Sequence, residues 1–137
     1  MVEIYADRIE ISNPGEPVVP VDRFIDGYQS RNERLALFMR RFGICEEKGS
    51  GVDRVISSVE DYQLPAPEFR VGHRRTSVVI FGPRRFDDME ASDRARACYQ
   101  HCCLRYVMNE KMTNQSLRER FKLPESRAET ASRIIRD

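Results

Sequence analysis

Three residues in one stretch have the types and spacing of metal ligands. Cys98, His101 and Cys102 stand at i, i+3 and i+4, so a helix places them on one face. Zinc takes such ligands but needs a fourth, which Cys103 or His73 would have to supply from another direction. The usual C-x-x-C pairing is absent, and cysteine packs in cores as a small apolar residue. A packed helix face with no metal is the better reading. Gly49-Ser50-Gly51, ahead of an apolar run, is the candidate phosphate cradle. Glycines there let backbone N–H groups at a helix start point at an anion. The triplet lacks the spacing and the lysine of a Walker loop, so a tight loop that positions the next helix is the plainer reading. Glu46 and Glu47 are adjacent on an irregular loop and need not converge. With two histidines and no acid–base pair, an enzyme is hard to build from this chain, and no catalytic residue or cofactor is expected. Arg74-Arg75 and Arg84-Arg85 are basic pairs beside strands that could touch phosphate, although surface arginines are usually only solvated.

The stretch from Met112 to Asp137 carries a different chemistry. Leu117, Phe121 and Leu123 anchor a short first helix behind Thr113, a good cap. Pro124 breaks it. Ser126 and Glu129 have the spacing of a capping box, and Ala128, Ala131, Ile134 and Ile135 make a stripe along a second helix. This is the pattern of a helix-turn-helix, whose second helix reads the DNA major groove chiefly through its N-terminal residues. Arg127, Glu129 and Thr130 are the base-edge candidates. Arg133 and Arg136 lie about 60° apart around the helix and suit phosphates, with Arg118 and Arg120 on the preceding helix as further phosphate candidates. Helix hairpins also occur in folds that never touch nucleic acid.

Bulk charge tempers the expectation. A third of the 137 residues are charged, yet the net charge is only +1. Residues 113–137 hold 6 Lys/Arg against 4 Asp/Glu, a mild bias. Coating nucleic acid through charge alone is excluded, and duplex binding by this chain is expected to be weak. A reader of two half-sites needs two-fold symmetry, so a homodimer is expected. No run approaches the ~20 apolar residues of a membrane span, and the N-terminus has no signal-peptide pattern. The cytoplasm and reduced thiols are the expectation.

The elements follow from periodicity. Val2-Glu3-Ile4-Tyr5 and Arg8-Ile9-Glu10-Ile11 alternate as a β-hairpin ended by Asn13-Pro14-Gly15. Asn32 to Phe42 predicts a helix that buries Leu35, Phe38, Met39 and Phe42, with Gly43 as its stop. Val52 to Tyr62 predicts another. Phe69-Arg70-Val71 and Thr76 to Phe81 predict strands, the second pairing with the hairpin. Gly82-Pro83-Arg84-Arg85 is the domain boundary. Asp87 to Glu110 predicts one long helix with Ala95, Cys98, Tyr99, Cys102, Tyr106 and Val107 inward. The fold class is α+β: a small antiparallel sheet with helices on one face over 1–83, followed by an all-helical helix-turn-helix unit, an incomplete winged helix, over 88–137.

The segments Val2–Gly15, Ser30–Ala36 and Phe42–Ile56, with Ile-Ser-Asn-Pro-Gly and Glu-Glu-Lys-Gly-Ser-Gly at their centres, resemble the C-terminal region of RecG-related "ATP-dependent DNA helicases" and ATP-binding transcriptional regulators. Those proteins carry a Schlafen/AlbA-like domain ahead of this region. Arg96 to Phe121 resembles the same family's closing winged-helix portion. The resemblance implies a GHKL-like middle region. The Asn-containing helix that holds the metal–nucleotide complex in GHKL ATPases has no counterpart here, nor does any helicase motif. The chain is therefore expected to be a fragment acting as a non-catalytic, DNA-binding transcriptional regulatory module. A nucleotide-binding remnant around Gly49, Ser50 and Gly51 and a protein–protein assembly module are the alternatives.

Overall fold

A computed structural model describes residues 1–45 and 51–136, and Ser50 by its backbone alone. The chain opens with β1 (Val2–Ile4) and β2 (Arg8–Pro14), makes a 3-10 turn at Val21–Arg23, and continues through α1 (Glu33–Arg41), α2 (Ser50–Asp61), β3 (Glu68–Gly72) and β4 (Arg75–Phe81). A 3-10 turn at Phe86–Asp88 leads into α3 (Ala91–Val107), then α4 (Asn114–Arg120), a further 3-10 turn at Glu125–Arg127, and α5 (Ala128–Arg136). The fold is α+β, with one four-stranded antiparallel sheet in the order β1-β2-β4-β3.

The sheet is two-sided in chemistry because side chains alternate along each strand. The register sets Ile9 opposite Ile80, Ile11 opposite Val78, and Phe69 opposite Val78, which gathers the β-branched and aromatic residues on one face. The other face carries ion pairs between Arg8 and Glu10 and between Arg70 and Glu68. Buried Val79 sits in register between Glu10 and Glu68 there. The β3–β4 hairpin closes over His73 and Arg74, at φ +51° and +56°. A two-residue hairpin wants this left-handed pair so that its turn matches the strand twist. The loop edge is pinned by the Gly15 N–H on the Arg74 carbonyl and the Thr76 hydroxyl on the Gly15 carbonyl.

Four helices end in the same way. The residue after the cap is left-handed at Gly43, Gln63, Asn109 and Lys122, and the N–H one residue later reaches back to the carbonyls of Met39, Val59, Arg105 and Arg118. These paired bonds satisfy carbonyls that would otherwise be orphaned at a helix end. Glycine serves at only one of the four. Gly27 is fixed for another reason: a Cβ there would lie 2.6 Å from the Arg23 carbonyl oxygen.

Two apolar clusters hold the elements together. Ile25, Ile56 and Leu104 join, with Phe69 and Val107 against them, so α2 bridges the apolar sheet face and α3. Ala66, Met89, Ala97, Cys98, Leu117, Phe121 and Ala131 form the second cluster, under α4 and α5. Each cluster draws residues from both sides of Gly82-Pro83.

Three local expectations need correction. Helix α3 is shorter than 87–110 and is rotated: Asp93, Ala97, Cys98, Gln100, His101 and Leu104 face inward, while Ala95, Tyr99, Cys102 and Tyr106 are exposed. Apolarity misassigned that face because polar side chains with partners are buried instead. Gln100 donates to the Pro67 carbonyl, and Arg96 and Arg84 both pair with Asp93. Helix α1 has no buried residue, and Leu35, Phe38 and Phe42 are all more than half exposed. The capping box falls one helix earlier than Ser126 and Glu129. It is built by Thr113 and Ser116, while Pro124 opens a 3-10 turn with no side-chain cap.

Candidate nucleic-acid interface

Residues 113–136 form two helices across a tight turn. Thr113 fixes the start of α4, since its hydroxyl accepts the Ser116 N–H and the Ser116 hydroxyl accepts its own N–H. Lys122, left-handed at φ +50°, and Pro124 then turn the chain. Leu117 and Ala131, both with no exposed surface, meet at the crossing of α4 and α5 with Phe121 beside them. Asn114 locks the pair: its amide donates to the Ala128 carbonyl and the Ser132 hydroxyl, at 2.7 and 2.8 Å. Ala131 and Ile134 of the α5 stripe therefore point inward, whereas Ile135, expected with them, is exposed beside a mostly polar outer face.

A buried polar hub anchors this unit to the rest of the chain. His101, 1% exposed, places Nδ1 at 2.9–3.0 Å from both carboxylate oxygens of Glu60 and Nε2 at 3.1 Å from the Ser116 hydroxyl. A carboxylate only accepts, so Nδ1 carries the proton. Arg120 donates to the Leu64 carbonyl, and its Nε lies 3.4 Å from the same carboxylate. Burial pushes the Arg120 pKa below its ordinary value, opposed by the charge of Glu60. Three helices thus share one network. A Glu–His–Ser row is also the raw material of a serine nucleophile. Here the ring is sealed from solvent, and the hydroxyl already serves the Thr113 N–H and carbonyl as part of a helix cap. Neither Glu60 nor Ser116 is flagged by sequence pattern, because the row assembles residues from α2, α3 and α4.

The predicted site residues divide into separate environments. Glu129, Arg133 and Arg136 are exposed on the outer face of α5, and with partly buried Thr130 they line one shallow depression. Arg118 lies half-buried with its Nε on the Asn114 side-chain oxygen. Arg120, expected at a phosphate, is 4% exposed and committed to the hub. Its alternation with Arg118 suggested two surface cations, but the helix turns one of them into the core. Arg127 is held by Asp87 through two hydrogen bonds, at 2.6 and 3.2 Å, beside the Phe86 ring. The Arg127 hydrogen bond holds the Asp87 carboxyl below its usual range, and the pairing raises the arginine in return. Sequence reasoning missed Asp87, since a bond spanning 40 residues leaves no local signal.

Of the glycine triplet, Gly49 and the Ser50 side chain lie outside the described residues. Gly51 is exposed at the start of α2 and borders an apolar cleft with Phe24, Tyr28 and Val52. No charged side chain lines that cleft among the described residues. No group of three His, Cys, Asp or Glu residues there could hold a metal ion. Cys98 is buried, which pushes its thiol pKa up, and Cys102 faces solvent. No described helix is long and apolar enough to cross a membrane.

Comparison with known proteins agrees with the motifs at the chain's start. The family model described as "Putative ATP-dependent DNA helicase recG C-terminal" matches residues 1–80, which span β1 to β4. No curated protein and no solved structure matches the chain. With more than half its length matched, the chain belongs to this RecG C-terminal family.

Proposed function

We propose that the chain is a non-catalytic regulatory module, in which residues 88–137 bind duplex DNA and residues 1–83 serve assembly or ligand sensing. The observation that carries this reading is the outer face of α5. Arg133 and Arg136 stand exposed on a helix whose opposite side is fixed by Ala131 and Asn114. A rigidly backed helix with outward cations can enter a major groove, and its N-terminal residues Arg127, Glu129 and Thr130 would then meet base edges. Arg118, on α4, would add a phosphate contact. Arg120 is left out, because it is buried. The family's helicase description fits a DNA-associated role without requiring catalysis by this segment. A cytoplasmic setting with reduced thiols is part of the same reading.

The test is fluorescence anisotropy of a labelled duplex titrated between 50 and 200 mM salt. Weak, salt-sensitive binding is expected, and Arg133→Ala or Arg136→Ala should weaken all sequences about equally and lower the salt slope by ~1 each. Arg127→Ala should instead alter sequence preference. Affinity unchanged by replacing all three arginines would contradict the reading.

A second reading, a protein–protein assembly module, has its own observation. Leu35, Phe38, Phe42 and Ile44 form an exposed apolar stripe along and beyond α1. Both readings accommodate a homodimer. Sedimentation at tens of micromolar tests it, and a monomer throughout would exclude it.

A further inference from the structure

A cleft of about 460 Å³ lies between the 84–89 segment and the turn of the helix-turn-helix, and its lining is strongly cationic. Arg84, Arg85, Arg120, Lys122 and Arg127 border it; Arg84, Arg120 and Arg127 are paired with Asp93, Glu60 and Asp87, which leaves Arg85 and Lys122 as its uncommitted cations among the described residues. We propose that this cleft is a binding site for a phosphoryl group. The inference shares Arg127 with the DNA-binding reading but not Arg133 and Arg136, which do not line the cleft.

Three observations converge on it. The cations come from three separate stretches of chain, so their meeting is a product of the fold. Like charges crowded in one recess raise its potential and favour an anion. The side chains of Arg85 and Lys122 make no hydrogen bond or ion pair among the described residues and are exposed at the rim. Buried Arg120 adds charge to the lining but is already committed, donating to the Leu64 carbonyl with its Nε 3.4 Å from a Glu60 oxygen. Asp87 already shows the geometry that a phosphoryl oxygen pair would adopt, because its two oxygens take two guanidinium N–H groups of Arg127 side by side. Phe86 and Phe121, packed edge to face at 5.1 Å, form the apolar wall.

The phosphoryl group could be carried by a free oligophosphate or by a DNA backbone. Inorganic pyrophosphate is the probe for the first source and a labelled duplex for the second, both at constant ionic strength with the full chain. The test variant is Arg85→Ala/Lys122→Gly, in which glycine suits the turn. Circular dichroism checks that it folds, and Asp87→Asn serves as a second variant. If the source is free, pyrophosphate binds saturably, about tenfold more weakly in the double variant and more tightly in Asp87→Asn. If the source is the backbone, pyrophosphate shows no saturation while duplex affinity falls about tenfold in the double variant. Arg133→Ala then remains a separate measure of α5. The proposal is overturned if the double variant leaves both ligands unaffected, whether or not either binds.

Discussion

Helices α1 and α5 are alike in sequence and opposite in fate. Each has nine residues, arginines at its C-terminal end, and an apolar stripe at helical spacing. The stripe of α5 is covered save at Ile135: Ala131 has no exposed surface and Ile134 packs on the cluster beneath α4. The stripe of α1 is largely bare, with Phe38 and Phe42 in a tilted contact, 4.6 Å between ring centroids, in solvent. Amphipathicity states that a face wants a partner, but not where the partner comes from. For α5 it comes from α3 and α4. Asn114 and Leu117 hold the helix in place and thereby direct Arg133 and Arg136 outward.

The strongest way to break this contrast is to remove the hub beneath α4. Glu60→Ala should destabilise the chain by about 3–5 kcal/mol, because it strands the buried Arg120 guanidinium without its counter-charge. Urea unfolding would show it, and a loss under 1 kcal/mol would mean that the hub contributes little. Next, Leu117→Ala should cost about 3 kcal/mol, the usual loss for a fully buried leucine. The same chemistry on α1 should behave otherwise. Leu35→Ser and Phe38→Ser should each change monomer stability by no more than about 0.5 kcal/mol, while shifting sedimentation towards monomer if α1 pairs two copies. Losses as large as that of Leu117→Ala would show that α1 belongs to the core.

The smallest expected effect concerns Asp87. Its folded pKa is depressed by Arg127, so the pair adds stability above the ordinary carboxylate pKa of about 3.9. That increment is lost as pH falls through the depressed value. Thermal melts of wild type and Asp87→Asn should therefore differ at pH 6 and converge in acid. A constant offset at all pH values would mean that the carboxylate charge is not what stabilises the pair.

Legibility in the sequence followed the range of the interaction. Strands β2 and β4 are written locally in alternating Ile and Val residues, and the helix-turn-helix in Thr113, Leu117, Pro124 and Ala131. The inward face of α3 was not legible, because Gln100 and His101 are buried with partners 33 and 41 positions away, and Asp93 with two arginines rather than apolar neighbours. The bareness of α1 was not legible for the converse reason, since its stripe is as regular as that of a buried helix. In the site, Arg133 and Arg136 could be placed from helical angles alone. The burial of Arg120 and the capture of Arg127 by Asp87 depend on residues 56 to 60 and 40 positions away, respectively.

The most direct measurement is amide chemical-shift mapping of the ¹⁵N-labelled full chain during titration with duplex DNA at low salt. The account predicts perturbations concentrated at residues 125–136, with α1 silent, and their loss on replacing Arg133 and Arg136 together. Perturbations centred on residues 33–44, or none at saturating duplex, would contradict it.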